Sequence, residues 1–240
     1  MRKQGHRVVS SRPAKLTPPR LPAVVYRRRL FRLLNRATKS SLTWIAAPPG
    51  AGKTTLLASY FQNQRRKVLW FRLDVGDADP STFFHYLGAT VQAEAPRLRT
   101  ELPHLTPEYM ADLPIFTQRF FEQLSERFRR QTVIVFDNYH EVPLESLIHQ
   151  LLPVGIEQLP RHVRVVVLSR ERPPATYARL QAEQQLSIID ATELELTREE
   201  ARQVSHLKLG SLQSKGVLSS VDQLLEVTKG WMAGFILFLE

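Results

Sequence analysis

Lys53 and Thr54, with glycines at 50 and 52 just before them, are the residues whose types and spacing point most directly to chemistry on a phosphate. The stretch Ala47-Pro48-Pro49-Gly50-Ala51-Gly52-Lys53-Thr54-Thr55 follows an apolar run, 42–46, and opens a helix-compatible run to Phe61. It reads as strand, phosphate loop, helix. In such a loop the N–H groups of Gly50 to Thr54 turn inward around a phosphate, and glycine permits torsions that a Cβ forbids. The helix beginning near Lys53 adds about half a positive charge at its N-terminus. Lys53 reaches the β- and γ-phosphates as a point charge, and the Thr54 hydroxyl takes an oxygen position on Mg²⁺. Pro49, Gly50, Ala51, Gly52 and Thr55 complete the expected nucleotide contacts. The pattern G-x-x-x-x-G-K-[ST] has glycine six residues before the lysine, where this chain has Ala47. One methyl at the strand exit is tolerable if φ there is negative.

Asp137 is the second landmark. Thr132-Val133-Ile134-Val135-Phe136 precedes it without alternation, as in a strand buried on both faces of a parallel sheet. A carboxylate closing such a strand lies at the C-terminal edge, where open α/β sheets bind ligands. Asp137 is therefore the expected metal ligand together with Thr54, and the expected catalytic carboxylate. The next residue is Asn138, where many ATPases of this broad kind carry a second acid that polarises water. An amide cannot accept a proton, so hydrolysis by that route is expected to be slow or absent. Glu141 is the candidate for a partial substitute. The run Val163–Leu168 is a third buried strand, and the same edge argument aims Arg170 at the phosphates. At ~4 Å and an effective dielectric of ~20, an Arg–phosphate pair is worth ~4 kcal/mol before desolvation. The competing reading pairs Arg170 with Glu171 on the surface.

The elements that must position these residues follow in order. Residues 24–34 place Leu30, Phe31, Leu33 and Leu34 at helical spacing with arginines on the other face. Residues 68–73 form a strand, Pro80 opens a helix to about 95, and residues 96–114, with four prolines, form an irregular insertion. Helices at 115–129 and 144–158 flank the Asp137 strand, and 185–190 is the last strand. From Leu196 the pattern turns helical, with Thr197 and Glu200 spaced as a capping box, followed by helical pieces at 221–228 and 231–239. The expected class is thus α/β, a parallel sheet flanked by helices in a P-loop NTPase arrangement. It comprises a basic, disordered or loosely draped tail at 1–22, a nucleotide-binding domain at 23–192 and the start of an all-helical lid at 193–240.

Composition narrows the classes further. The 240 residues carry a net charge of +10, and twelve Lys and Arg with no acid fall within residues 1–39. All the basic excess therefore sits there, where non-specific contact with nucleic acid is the functional expectation and a solvated tail the bland one. No cysteine is present, which excludes disulfides and thiolate chemistry and suits a cytoplasmic setting. No apolar run is long enough to cross a membrane, so no membrane partner is expected. The seven histidines show no metal-ligand spacing, and His140 and His149 read as structural.

The motifs taken together resemble a known family. Ala-Pro-Pro-Gly-Ala-Gly-Lys-Thr-Thr, Phe-Asp-Asn-Tyr-His at 136–140, Leu-Ser-Arg-Glu-Arg-Pro-Pro at 168–174, Leu-Thr-Arg-Glu-Glu-Ala at 196–201 and Thr-Lys-Gly-Trp-Met-Ala at 228–233 look like successive motifs of the maltose-regulon-activator-like signal-transduction ATPases of the STAND class. The resemblance implies a nucleotide-binding domain with a helical lid, taken from proteins that alternate between an ADP-bound resting form and an ATP-bound, self-associating form. It also implies transcription regulation of the LuxR type, with ATP or ADP and Mg²⁺ as cofactors. Members are usually longer, so the chain is expected to be an N-terminal fragment or a truncated relative. Asn138 departs from the usual second Asp, and Met232 stands near a proline of related lids. The alternative reading is an active ATPase that works on nucleic acid through the basic N-terminus.

Overall fold

The computed structural model describes residues 13–62, 64, 66–94, 102–128, 130–210 and 215–240. Residues 1–12 of the expected tail, 96–101 of the expected insertion, and residues 95 and 129 at the expected ends of two helices lie outside the described residues. In chain order the elements are α1 (Arg28–Ala37), β1 (Leu42–Ala46), α2 (Lys53–Gln62), β2 (Lys67–Arg72), α3 (Pro80–Glu94), α4 (Pro107–Met110), α5 (Leu113–Ser125) and β3 (Thr132–Asp137). There follow α6 (Ile148–Glu157), β4 (Val163–Ser169), α7 (Ala178–Ala182), β5 (Leu186–Ile189), α8 (Ala191–Leu194), α9 (Arg198–Leu209), α10 (Lys215–Thr228) and α11 (Met232–Leu237).

The described strands form one sheet, ordered β2-β3-β4-β1-β5, in which every pairing is parallel. Because successive side chains point to opposite faces, each strand feeds two cores. Trp44, Phe71, Ile134, Phe136, Val165 and Val167 pack on one face with residues of α3, α5 and α6. Ile45, Trp70, Val133, Val135, Val166 and Leu168 pack on the other with α1 and α2. Burial on both faces explains the unbroken apolar runs, and the α/β class expected from them is the one observed. All the strands end on one edge, which brings the residues after β1, β3 and β4 together.

Three local expectations are corrected. The helix expected over 24–34 begins at Arg28 and runs to Ala37, while Val24 and Val25 stay outside it, half buried. The helix expected over 144–158 is confined to Ile148–Glu157, because Ser146 diverts the chain: its hydroxyl donates to the Ala78 carbonyl and accepts from the Ile148 N–H. The last part of the tail is held. Leu16 is 1% exposed in the sheet core, and Lys15 bonds the fully buried Asp77 at 3.0 Å with its Nζ 4.0 Å above the Tyr86 ring. A composition argument averages over the segment and misses one apolar anchor and one buried ion pair. This strap packs against β2, an edge strand of the sheet.

The helical part has its own small core of Leu196, Ala201, Val204, Val221 and Phe235. The Thr197 capping box is present, with Glu200 N–H donating to Thr197 Oγ1 at 3.3 Å and Thr197 N–H to Glu200 Oε2 at 3.1 Å.

Candidate functional site

β1 ends at Ala46, and Ala47 still pairs with the sheet through its N–H to the Ser169 carbonyl at 3.2 Å. The chain then turns through Pro48 and Pro49 into Gly50 at φ +75° and Gly52 at φ +82°. These left-handed torsions are the reason for glycine at both positions. Helix α2 begins at Lys53, and the Lys53 ammonium folds back onto the carbonyls of Ala47 and Pro48. Burial lowers the Lys53 pKa, the nearby Arg170 charge lowers it further, and Asp137 opposes both.

Thr54 and Asp137 come together across the sheet edge. Thr54 Oγ1 donates to Asp137 Oδ1 at 3.1 Å, and the Asn138 N–H donates to the same oxygen at 3.0 Å. Asp137 is 2% exposed, and its Oδ2 accepts no hydrogen bond among the described residues. Burial pushes the carboxyl pKa up, against the opposing effects of Thr54 and Arg72. A buried carboxylate oxygen that accepts no hydrogen bond, beside a threonine hydroxyl, is a donor set of hard oxygens, the kind Mg²⁺ takes. Asn138 holds φ +62°, a left-handed conformation that asparagine tolerates better than most residues.

Arg170 is exposed just past β4, and among the described residues it forms no ion pair with Glu171. Its charge bears on both Lys53 and His140. Glu141 is turned toward His140, with Oε1 3.3 Å from Nε2. His140, expected to be structural, has a ring that is 9% exposed, and neither of its nitrogens has a hydrogen-bond partner among the described residues. Burial and the Arg170 and Lys53 charges lower its pKa, while Glu141 raises it, so the ring is neutral near pH 7. Sequence spacing offered no signal for it. His149 is structural: its ring nitrogens meet the Tyr139 hydroxyl at 3.0 Å and the Pro143 carbonyl at 2.9 Å, and Tyr139 pairs with Tyr177.

The lid closes on the loop from outside. Trp231 Nε1–H donates to the Pro49 carbonyl at 3.0 Å, and the Ala233 N–H donates to the Gly50 carbonyl at 3.0 Å. A Cβ on Gly50 would stand 2.5 Å from Ala233 Cβ, so glycine is required here by space as well as torsion. Arg27, 5% exposed, ties the segment before α1 to the lid through Glu200 Oε2 and the Glu195 carbonyl, each at 2.8 Å. Between these parts lies an apolar cavity of about 230 Å³, lined by Pro22, Ala23, Val24, Val25, Gly52, Thr55, Leu56, Val204, Leu207, Met232 and Ile236 among others. It adjoins the phosphate loop at Gly52 and Thr55, and no local pattern announces it, because its walls come from four separate stretches.

A parallel sheet with this strand order, a lysine loop after β1 and a carboxylate closing β3, followed by a helical lid, define a P-loop NTPase fold. Comparison with known proteins places it more closely. The chain belongs to the family described as Nephrocystin 3, N-terminal, whose model matches residues 25–170. It is similar to the HTH-type transcriptional regulator MalT of Cronobacter sakazakii, 32% identical over 200 residues that cover 82% of this chain and 22% of that protein. The MalT of Serratia proteamaculans is 29% identical over 222 residues, 91% of this chain and 24% of that protein. The chain thus spans under a quarter of these curated relatives. Among solved structures, a Signal Transduction ATPase with Numerous Domains (STAND) protein with a tetratricopeptide repeat sensor from Pyrococcus horikoshii superposes with a TM-score of 0.60 at 18% identity, covering 92% of this chain and 30% of that one. These relatives bear out the resemblance drawn from the motifs, to the N-terminal nucleotide-binding part of MalT-like STAND proteins. Among the described residues no helix is long and apolar enough to cross a membrane.

Proposed function

We propose that the chain is the ATP- and ADP-binding switch module of a transcriptional regulator, with slow or no hydrolysis. One observation carries the reading: Thr54 and Asp137 are joined at 3.1 Å beneath a loop held open by two left-handed glycines, with Asp137 Oδ2 accepting no hydrogen bond among the described residues. In this reading the N–H groups of Gly50 to Thr54 receive the β-phosphate, with Pro49, Ala51 and Thr55 completing the loop. Lys53 moves from the Ala47 and Pro48 carbonyls to the phosphate oxygens, and Arg170 reads the terminal phosphate. Thr54 and Asp137 hold Mg²⁺, which supplies charge neutralisation at the phosphates when bound. The adenine occupies the apolar cavity, with Val24 and Val25 on one side and Met232 on the other. Met232, which stands near a proline of related lids, makes the lid's contact with the base in this reading.

The switch follows from the lid. Residues 23–192 act as the nucleotide-binding unit and 193–240 as the lid, a division supported by Leu194 packing with the sheet core and Leu196 with the helical one. Loop carbonyls bind the lid while loop N–H groups bind phosphate, so one short backbone stretch feels both. Self-association is assigned to the ATP-bound form, in keeping with the STAND class, and the surroundings are taken as cytoplasmic. Slow turnover follows from Asn138, whose amide takes no proton; Asp137 holds the metal, and Glu141 lies against the His140 ring, Oε1 3.3 Å from Nε2.

The test is to identify the nucleotide released from purified protein and to follow melting with added Mg-ADP or Mg-ATP. Saturation at ~100 times Kd stabilises by ~2.7 kcal/mol, or about 5–10 °C for a chain of this size. Lys53→Ala should abolish the shift. A shift that survives in that variant sinks the site assignment.

A further inference from the structure

Arg72 ends β2, directly beside the end of β3. The two strands are in register with Arg72 opposite Asp137, and by strand alternation both side chains point to the face that carries Trp70, Val135 and α2. Arg72 Nε lies 3.9 Å from Asp137 Oδ2, the oxygen that neither Thr54 nor the Asn138 N–H uses. Arg72 makes no other ion pair among the described residues. Around the loop Lys53, Arg72 and Arg170 face Asp137, Glu141 and Glu171, three charges of each sign before any metal enters, and Asn138 adds none.

We propose that Arg72 is a resident cation of the phosphate site, which compensates Asp137 when no metal is bound and supplies part of the charge that Mg²⁺ would bring. Nucleotide is then held with weak dependence on divalent ion. The inference deepens the nucleotide reading and rests on it. A metal on Oδ2 at ~2.1 Å has the guanidinium within roughly 6 Å. Even at the dielectric of bulk water, a unit charge at ~6 Å from a dication alters affinity about tenfold. The lower dielectric of a half-exposed strand end makes the effect larger. Arginine suits the role because its charge persists at every working pH and its weakly hydrated guanidinium costs little to bring against a carboxylate.

The test compares wild type, Arg72→Gln and Arg72→Lys with a fluorescent ADP analogue, in excess Mg²⁺ and in EDTA. Mn²⁺ binding to the ADP complexes is followed by electron paramagnetic resonance. Arg72 is 43% exposed at a strand end, so both variants should fold, which their melting without nucleotide checks. Wild type should lose less than tenfold in ADP affinity in EDTA, and Arg72→Gln at least tenfold more than wild type. Mn²⁺ should bind the Arg72→Gln complex about tenfold tighter, and Arg72→Lys should behave as wild type on both measures. Equal EDTA sensitivity in wild type and Arg72→Gln, with both binding ADP in Mg²⁺, overturns the role of Arg72 and leaves the nucleotide reading standing. Absence of ADP binding by wild type under both conditions overturns both.

Discussion

Replacing Gly50 with alanine separates the loop's grip on the lid from its own backbone torsion. Gly50 sits at φ +75°, where an L-residue costs about 1–2 kcal/mol. The new Cβ would meet Ala233 Cβ at 2.5 Å and Trp231 Nε1 at 3.1 Å. Carbon pairs rest at roughly 3.5–4.0 Å, so the lid must withdraw by at least about 1 Å. That carries the Ala233 N–H to Gly50 and Trp231 N–H to Pro49 bonds, both 3.0 Å, beyond hydrogen-bond range. Two bonds at a net ~0.5–1.5 kcal/mol each make the lid share about 1–3 kcal/mol. Gly52→Ala is the control: its φ of +82° costs the same torsion, but the nearest atom to its Cβ is Met232 Cγ at 3.7 Å, ordinary contact. Gly50→Ala should therefore melt about 2–12 °C below Gly52→Ala, measured without nucleotide, with faster hydrogen exchange at the Ala233 amide. Adding Ala233→Gly relieves the 2.5 Å contact. A double-mutant cycle should show favourable coupling of at least ~1 kcal/mol. If the two alanine variants melt alike and the cycle shows no coupling, the lid does not rest on the loop in the way described.

Three further outcomes follow. Asn138→Asp should leave ADP affinity similar and raise ATP turnover from a rate below about one per minute, followed by phosphate release; fast turnover by the unaltered chain would instead favour the active-ATPase reading. Glu200 is the pH-sensitive tie between lid and core: burial alone would raise its pKa, but the Arg27 hydrogen bond and charge outweigh that and set it below the ordinary 4.5. Its stabilisation is present above that value and lost as pH falls through the lowered pKa, so lid docking, followed by proteolysis near residue 195, should weaken only once the pH has fallen below the ordinary 4.5, and Glu200→Gln should abolish that acid step. Contact of residues 1–39 with duplex DNA should be independent of sequence and of Lys53, lost on removing residues 1–22, and weakened ~10³–10⁵-fold between 50 and 200 mM salt if 6–10 phosphates are neutralised. Sequence-specific binding that survives the deletion would reveal a reading surface in the body of the chain.

The sheet was legible because its strands are buried on both faces. Leu42–Ala46 and Thr132–Asp137 appear with the limits expected, since an unbroken apolar run has few other places to go in an α/β layer. The Thr197–Glu200 cap was equally legible, being a contact between residues three apart. The helix starts at 28 and 148 were not, because they depend on what the chain packs against before them.

The same division governs the site. Residue types and local spacing determined the phosphate loop, the need for glycine torsions at 50 and 52, and a carboxylate at a strand end, because those properties are set by sterics and pattern within a few residues. Only the tertiary structure decided which groups from distant stretches meet. Strand order placed Arg72 beside Asp137 and His140 within reach of the Lys53 and Arg170 charges. Docking of the lid brought Trp231 and Ala233 onto the loop, and four separate stretches enclosed the apolar cavity at its side. Contacts of that separation arise from packing and strand register, and no window of sequence records them.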